Sequence, residues 1–222
     1  TDRISSVLFC PTEQAIKNLH QEGFKQFPCT LLNCGDVMQD AALFYANKAK
    51  HPDFLLPEHF ILATLHRAEN TDSPERLQSI IAALEEIARE MPVVIPIHPR
   101  TRKKLQELNF NFKQTRLQLV DPVGYLEMVY LLKHCSLVAT DSGGLQKEAY
   151  FFKKYCITLR TETEWVELVE QGANIITGWR YEDILNSYKQ LKHTTKDVFS
   201  SPLYGDGQAG HIIIRELQRI DS

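Results

Sequence analysis

The protein has 222 residues, of which 43% are hydrophobic and 24% are charged, and its formal net charge is -3. This composition is that of a globular protein with a buried core, and it excludes a strongly basic chain that would attract nucleic acid or an anionic membrane surface. Because no apolar run approaches the roughly 18 residues of a membrane span and TDRISSVLFC lacks the features of a secretion signal, we expect a cytoplasmic protein with no nucleic-acid or membrane partner.

The first 35 residues contain one predicted strand and one predicted helix. SVLFC (6–10) has the apolar and aromatic residues of a strand. The segment that follows, PTEQAIKNLHQEG (11–23), predicts a helix because a proline stands at its start and a glycine at its end. These two elements cannot bury a core by themselves, so either they join the sheet that follows or they are the tail of a preceding domain.

From residue 60 onward, short apolar segments alternate with amphipathic ones. Strands are predicted at 60–65, 93–98, 117–121, 136–140, 155–160 and 173–178. Helices are predicted at 73–91, 101–108, 124–135, 142–153, 163–172 and 181–192. This alternation is typical of a parallel sheet with helices on both faces. We therefore predict an α/β protein with a Rossmann-like sheet.

The segment VATDSGGLQKEA (138–149) passes from a predicted strand into a predicted helix. Glycine costs a helix interior about 1 kcal/mol relative to alanine, yet Gly143 and Gly144 both fall in the first turn. In a parallel sheet, ligands bind outside the carboxyl ends of the strands, where the helices begin. Two glycines there would let a phosphate approach the free backbone N–H groups and the positive end of the helix dipole.

Glu148 lies one helical turn after Gly144, on the same predicted face. A carboxylate would repel a phosphate, but it offers two acceptors to a diol such as that of a ribose. With the Ser142 hydroxyl as a further donor, the spacing favours a nucleoside diphosphate along the start of the helix. The alternative is structural: Asp141 or Ser142 caps the helix, and the glycines only allow close packing of strand and helix.

Two other strand ends carry histidine and arginine. HRAEN (66–70) follows the strand 60–65, and HPRTR (98–102) follows the strand 93–98. Because the ends of parallel strands share one edge, both clusters would lie near the glycines and supply cations for a diphosphate and a group that titrates near neutrality. Neither cluster has the paired ligands of a metal site, and the five cysteines form no CxxC pair, so we expect no bound metal.

Two further segments have an ordinary structural explanation. Thr161 and Glu164 have the spacing of a capping box at the start of a helix. The helix 124–135 is apolar enough to belong to the core. Within it, Tyr125 and Met128 are the residues that we expect to contact a base.

Together, these segments resemble the UDP-N-acetylglucosamine 2-epimerase family. The similar stretches follow the family's order over nearly the whole chain; they are FCPTE, TLHRAENTD, PIHPRT, DPVGYLEMVYLLKHCSLVATDSGGLQKEA, LRTETEWVELVEQGANIITG and YGDGQA. The resemblance implies a GT-B fold, in which two Rossmann-like domains face a cleft. It implies the tail of a missing N-terminal domain at 1–35, a UDP-binding domain at 36–203 and a C-terminal crossover helix at 204–222. A homodimer is implied for the complete protein.

The resemblance also assigns roles to individual positions. His66 corresponds to a histidine at the reacting end of the site and is the predicted catalytic residue. His98 and Arg100 lie in the segment where some bacterial members bind a second, regulatory nucleotide sugar, and they are alternatively diphosphate contacts. Within the UDP site, the correspondence places the diphosphate at the helix start, the ribose at Glu148 and the uracil at Met128. The predicted UDP-binding residues are Arg67, Met128, Ser142, Gly143, Gly144 and Glu148, with no cofactor and no metal.

The family's chemistry implies anti elimination of UDP across C1–C2 to give a 2-acetamidoglucal, followed by re-addition with C2 inverted. It places the enzyme in polysaccharide biosynthesis for the cell envelope. The family's acidic proton-transfer residues lie in a part that this chain does not match, so we expect the chain alone to be inactive. One departure is Trp165-Val166-Glu167, which stands where many members have Arg-Pro-Glu. Loss of a guanidinium beside a diphosphate is not conservative, so the sugar and the hydrolysing or non-hydrolysing outcome stay open.

Several alternatives therefore accompany the non-hydrolysing UDP-N-acetylglucosamine 2-epimerase. Within enzymes, they are a hydrolysing 2-epimerase, a 2-epimerase of a diacetamido sugar and a GT-B glycosyltransferase. A non-catalytic nucleotide-binding domain is an alternative of another class. Dinucleotide binding ranks last because no GxGxxG follows any predicted strand.

Overall fold

The computed structural model describes residues 2–220 and divides the chain into two compact units. One unit comprises Thr1–Asn47 and Ser200–Ser222, and the other comprises Lys48–Phe199. Residues 1, 221 and 222, which belong to the predicted tail and crossover helix, lie outside the described residues. Within residues 2–220, no helix has both the length and the apolar character needed to cross a membrane.

The secondary structure follows the predicted alternation. The strands are β1 Val7–Cys10, β2 Thr30–Asn33, β3 Ile61–Thr64, β4 Val93–Pro96, β5 Gln118–Val120, β6 Leu137–Thr140, β7 Cys156–Thr158 and β8 Asn174–Ile176. The helices are α1 Glu13–Gln21, α2 Val37–Ala46, α3 Ala68–Thr71, α4 Pro74–Ile87, α5 Pro99–Glu107, α6 Tyr125–His134, α7 Gly143–Phe151, α8 Val166–Glu170, α9 Tyr181–Lys192 and α10 Ala209–Ile220.

In the larger unit, β3 to β8 form one parallel sheet in the order β5-β4-β3-β6-β7-β8. The chain starts in the middle at β3, runs out to β5, returns to β6 beside β3 and runs out to β8. This is the strand order of doubly wound Rossmann folds, and it creates a topological switch point between β3 and β6. The prediction of a Rossmann-like parallel sheet is confirmed.

The four inner strands of this sheet, β3, β4, β6 and β7, are largely buried on both faces, which explains why their sequences are mostly apolar. On β3, Ile61 and Ala63 belong to one core cluster together with residues of α4 and α9. The intervening Leu62 belongs to a second cluster together with residues of α6 and α7. Because side chains alternate along a strand, a one-residue slip would exchange the two cores, so the packing fixes the register.

All predicted elements of the larger unit are present, but α8 is shorter than predicted. The predicted helix 163–172 is reduced to Val166–Glu170, with Trp165 at its N-cap position. The predicted capping box of Thr161 and Glu164 is therefore wrong. Glu164 instead forms an ion pair with Arg160, with the nitrogen and oxygen 2.7 Å apart. The sequence pattern assigned the Glu164 carboxylate to the helix N-terminus, but in the structure it pairs with the buried Arg160.

The smaller unit contains a two-stranded parallel sheet formed by β1 and β2. Of the two alternatives left open for the first strand, joining the large sheet is wrong, because within residues 2–220 this strand pairs only with β2. The segment TLLN of β2 is too short and too weakly patterned to be recognised from sequence. That these elements are the tail of a preceding domain stays a prediction.

One close backbone approach in the smaller unit requires a glycine. Gly35 has a φ of +82°, and a Cβ there would lie 2.9 Å from the Tyr204 carbonyl oxygen. Nearby, the Asp40 carboxylate accepts the N–H groups of Ala209 at 3.2 Å and Gly210 at 2.7 Å, where α10 begins. The YGDGQA segment is thus anchored to α2 and to the turn before it.

Candidate functional site

The carboxyl ends of β3 and β6 lie side by side at the switch point. Thr64 and Thr140 are partners in the strand register, and their hydroxyl oxygens lie 2.5 Å apart. The N–H of Ser142 donates to the Thr140 hydroxyl at 2.9 Å. Beyond these threonines the chain turns into α3 and α7, so the residues that follow both strands share one edge of the sheet.

Asp141 is fully buried at this edge and fixes the loop after β3. Its carboxylate accepts the backbone N–H groups of His66 at 3.2 Å and Arg67 at 3.0 Å, and the side-chain amide of Asn70 at 3.2 Å. Asn70 also donates to the carbonyl of Leu159, just after β7, at 2.9 Å. One satisfied buried anion therefore positions the ends of three strands.

Sequence patterns alone did not identify this role of Asp141. The signal was present, because a charged residue directly follows a strand whose residues are all buried, and a buried carboxylate must be hydrogen-bonded. What the pattern could not supply was the identity of the donors, which lie more than 70 residues earlier in the chain.

The helix α7 begins at Gly143, as predicted, with Ser142 as its N-cap residue. The Ser142 hydroxyl accepts the N–H of Leu145 at 3.4 Å. The capping explanation is therefore right for Ser142 and wrong for Asp141, whose carboxylate binds the loop after β3. Capping accounts for the serine but not for two consecutive glycines in the first turn.

The two glycines have different surroundings. Gly144 lines a cavity at the switch point. Gly143 faces the loop after β7 instead: a Cβ there would lie 3.5 Å from Glu164, 3.6 Å from Trp165 and 3.8 Å from Arg67. The first turn of α7 therefore presents one glycine to the cavity and the other to neighbouring side chains.

The cavity has a volume of about 290 Å³. It combines an apolar wall, formed in part by Pro96, Pro122 and Val123, with polar groups from three strand ends. The structure brings together six of the predicted site residues in its lining: His66, His98, Met128, Ser142, Gly144 and Glu148. Such a concave, largely apolar site with a few convergent polar groups is what a small-molecule ligand requires.

Three predicted site residues do not line the cavity. The guanidinium of Arg67 lies 3.6 Å from Glu164, beside Gly143. Arg100 is exposed and forms an ion pair with Asp72 at 2.5 Å. Their roles as ligand contacts, and that of Gly143, stay predictions.

Glu148 lies on the same side of α7 as Gly144, as the spacing predicted. Burial raises the pKa of the Glu148 carboxyl, and a hydrogen bond with Tyr125 lowers it by a smaller amount. Desolvation dominates because the group sits in the partly apolar cavity. A carboxylate in this position is a strong acceptor for ligand hydroxyl groups.

The two histidines of the cavity contact different partners. The Nδ1 atom of His66 lies 3.3 Å from a carboxylate oxygen of Asp141. His98 is the N-cap residue of α5, and its Nδ1 atom accepts the N–H of Arg100 at 3.2 Å. Each ring therefore uses Nδ1 within the protein, which leaves Nε2 for a ligand.

The opposite side of α7 is fixed by the loop 161–165. The indole N–H of Trp165 donates to the Gly143 carbonyl at 2.8 Å, and the Lys147 ammonium lies 4.3 Å from the centre of the indole ring. The Thr163 hydroxyl donates to the Gln146 side-chain oxygen at 2.7 Å. Trp165, which marks the departure from the usual Arg-Pro-Glu run, thus contacts the helix turn that carries the glycines.

The described residues also limit the chemistry of the site. Within residues 2–220, no three or more His, Cys, Asp or Glu side chains are grouped so that they could hold a metal ion. The five cysteines are free, and burial raises the pKa of the Cys135 and Cys156 thiols to about 12. At such values the thiols stay protonated and behave as packing residues.

The strand order and the cavity at the switch point define a Rossmann-like ligand-binding protein. The sequence model of the UDP-N-acetylglucosamine 2-epimerase family matches residues 1–218. The chain therefore belongs to this family, as the resemblance implied.

Relatives and solved structures agree with this assignment. The chain is 51% identical to a UDP-2,3-diacetamido-2,3-dideoxy-D-glucuronate 2-epimerase of Pseudomonas aeruginosa, over 99% of this chain and 62% of the relative. A crystal structure of the Methanocaldococcus jannaschii UDP-GlcNAc 2-epimerase in complex with UDP-GlcNAc and UDP gives a TM-score of 0.85 at 37% identity, over 98% of this chain and 62% of that one. The crystal structure of the Neisseria meningitidis UDP-GlcNAc 2-epimerase bound to UDP-GlcNAc gives a TM-score of 0.82 at 29% identity, over 97% of this chain and 62% of that one.

These relatives place the fold in the GT-B class and confirm the predicted fold class. The chain spans 62% of the length of the P. aeruginosa and M. jannaschii relatives.

Proposed function

We propose that this chain is the UDP-binding part of a UDP-sugar 2-epimerase. The observation that carries the proposal is that Gly144 and Glu148 line one cavity at the start of α7, with His66 in the same lining. The N-terminus of the helix is suited to bind a phosphate, and the carboxylate one turn further along is suited to bind a diol. The imidazole is then available to the reacting centre of the sugar.

The proposed ligand position follows from this geometry. The diphosphate lies against the first turn of α7, where Ser142 and Gly144 allow contact with backbone N–H groups and the helix dipole. Glu148 accepts the ribose hydroxyls. The uracil packs against Met128 and the proline-rich wall of the cavity.

The proposed reaction is elimination of UDP across C1–C2 followed by re-addition with C2 inverted. In this reaction, the chain's own groups bind and stabilise the departing diphosphate, with Arg67 beside the helix start as an additional cation. Asp141 holds the His66 ring in the cavity lining through the 3.3 Å contact at Nδ1. The acids that move the C2 proton belong, in this proposal, to the part that the longer relatives possess in addition.

The proposed domain organisation and cellular context follow the family. Residues 1–35 are the tail of an N-terminal Rossmann-like domain, 36–203 the UDP-binding domain and 204–222 the crossover helix. The complete protein is a cytoplasmic homodimer that makes precursors for cell-envelope polysaccharide.

Two sugar substrates are proposed for the complete enzyme. UDP-N-acetylglucosamine, without net hydrolysis, is the first candidate because several relatives bear that name. UDP-2,3-diacetamido-2,3-dideoxy-D-glucuronate is the second, and the 51% identity to the P. aeruginosa enzyme favours it. Incubation of a full-length enzyme with each sugar, followed by NMR of the products, decides between them. Release of free N-acetylmannosamine would indicate a hydrolysing enzyme instead.

Calorimetric titration of this chain with UDP tests the nucleotide site. We expect saturable binding that Glu148→Ala weakens strongly and that Glu75→Ala, which removes an exposed carboxylate on α4, leaves unchanged. Absence of binding at millimolar UDP would reduce the chain to a scaffold that kept the fold. Turnover of a UDP-sugar by these 222 residues alone would overturn the proposal that the proton-moving acids belong to another domain.

A further inference from the structure

We propose that His66 and His98, which line the same cavity, are fixed in opposite tautomers, so that one ring donates a hydrogen bond to a ligand and the other accepts one. In this assignment, Nε2 of His98 carries a proton and donates to the ligand, whereas Nε2 of neutral His66 has a lone pair and accepts. The identity of the ligand as a UDP-sugar rests on the proposed function, but the assignment of the tautomers does not.

The tautomer of His98 follows from its position as the N-cap of α5. Its Nδ1 atom accepts the N–H of Arg100 at 3.2 Å, so Nδ1 must carry a lone pair and, in the neutral ring, Nε2 must carry the proton. Histidine is not among the residues favoured at N-caps, where serine, threonine, aspartate and asparagine are smaller and better suited. Capping alone therefore does not explain an imidazole here, and the cavity that the ring lines supplies a second role.

The tautomer of His66 follows from the opposite electrostatics. Its Nδ1 atom lies 3.3 Å from a carboxylate oxygen of the fully buried Asp141. A lone pair on Nδ1 would face a like charge, whereas a proton there faces an acceptor, so the neutral ring carries its proton on Nδ1. The backbone N–H of His66 also donates to Asp141, which fixes the residue on that side.

The two rings are therefore suited to different parts of a ligand. His98 presents an N–H to a group that only accepts, such as a phosphate oxygen. His66 presents a lone pair to a ligand O–H or N–H.

Long-range proton–nitrogen NMR of the imidazole rings in the ligand-free chain at mildly alkaline pH tests the assignment directly. We expect the pattern of an Nδ1–H ring for His66 and of an Nε2–H ring for His98, with His66→Gln and His98→Asn identifying the signals and exposed His59 as reference. The same tautomer in both rings would overturn the proposal. Because no ligand is present, this result is independent of whether the chain binds UDP.

A substitution separates the donor role of His98 from its capping role. In His98→Asn, the side-chain oxygen still caps α5, but the Nε2–H donor is lost. We expect unchanged thermal stability and UDP binding weakened by about tenfold, as for loss of one hydrogen bond to a charged group. Unchanged affinity in a variant that folds normally would show that His98 only caps the helix. If the unmodified chain does not bind UDP, the proposed function fails while the NMR result stands.

Discussion

The two sides of α7 have different surroundings, because one lines the cavity and the other packs against the loop 161–165. Towards the cavity, the helix presents Gly144 and Glu148, which are partly exposed. Towards the loop 161–165, it presents Gln146 and Lys147, which are 0% and 4% exposed and contact Thr163 and Trp165. Two adjacent glycines in one helix turn therefore need not have the same role. Substitutions on the cavity side should alter binding, and those on the loop side should alter stability.

The largest effect is expected at Asp141, which lies just before the N-cap of α7 and is fully buried. Asp141→Ala leaves the N–H groups of His66, Arg67 and Asn70 without their buried acceptor. We expect urea denaturation to show a loss of about 3 kcal/mol in the free energy of unfolding. Asp72→Ala, which removes an exposed ion pair with Arg100, is the control and should cost less than about 1 kcal/mol. A similar small loss for both variants would contradict the role assigned to Asp141.

On the cavity side, Glu148→Gln should weaken UDP binding by about thirtyfold, or about 2 kcal/mol, because a charged acceptor is replaced by a neutral amide. Calorimetry at several pH values sharpens the test. Since burial raises the pKa of Glu148, the carboxylate of the unmodified chain is protonated at a higher pH than an exposed one. Its UDP affinity should therefore fall as the pH drops through that raised value, whereas the affinity of the glutamine variant should not.

The same pKa shift predicts the opposite trend for folding. A carboxyl with a raised folded pKa contributes stability that is present below its unfolded pKa and is lost as the pH rises through the folded pKa. The difference in unfolding free energy between the unmodified chain and Glu148→Gln should change in that window. A pH-independent difference would show that Glu148 is not desolvated in solution.

Alanine substitutions of the two glycines should have smaller effects on UDP affinity, and these effects should differ between the two positions. Gly144→Ala places a methyl group at the cavity and should weaken UDP binding on the order of tenfold, as for loss of one hydrogen bond to a charged group. Gly143→Ala meets its neighbours at 3.5 Å to 3.8 Å, which are ordinary contact distances, so binding should change little. Equal loss of affinity in both variants, measured by the same titration, would contradict the separation of the two sides.

The smallest effect is expected on the loop side. Trp165→Phe removes the 2.8 Å hydrogen bond to the Gly143 carbonyl but keeps an aromatic ring for Lys147. We expect thermal or urea unfolding to show a loss of about 1 kcal/mol, with UDP affinity changed by less than about twofold. Trp165→Leu, which also removes the ring, should lose more stability. A large loss of UDP affinity in Trp165→Phe would place the tryptophan in the binding machinery.

Much of the larger unit was predictable because each strand and helix carries its own local signal. The continuous apolar runs predicted a doubly covered parallel sheet, and the glycine pair with Glu148 predicted the end of the sheet at which the cavity lies. The shorter helix α8 was mispredicted because the ion pair of Glu164 with Arg160 competes with the capping pattern. A local pattern cannot show which of two partners a carboxylate takes.

What sequence could not predict depends on contacts between distant segments. The second strand of the smaller unit is only four residues long, and its pairing with β1 becomes evident only in three dimensions. Likewise, the local pattern around Gly143 does not predict its hydrogen bond with Trp165, which lies 22 residues later in the chain; only the family resemblance placed that position near the diphosphate. The different surroundings of the two glycines are therefore a property of the folded chain and not of the motif.

The shared amide of Asn70 has a mechanical consequence. Because Asn70 donates both to Asp141 after β6 and to Leu159 after β7, while Asp141 accepts from the loop after β3, three strand ends form one hydrogen-bonded block. Any widening of the cavity that separates these ends must break hydrogen bonds to a fully buried carboxylate. The hydrogen bonds of this block therefore oppose any motion that separates the carboxyl ends of β3, β6 and β7.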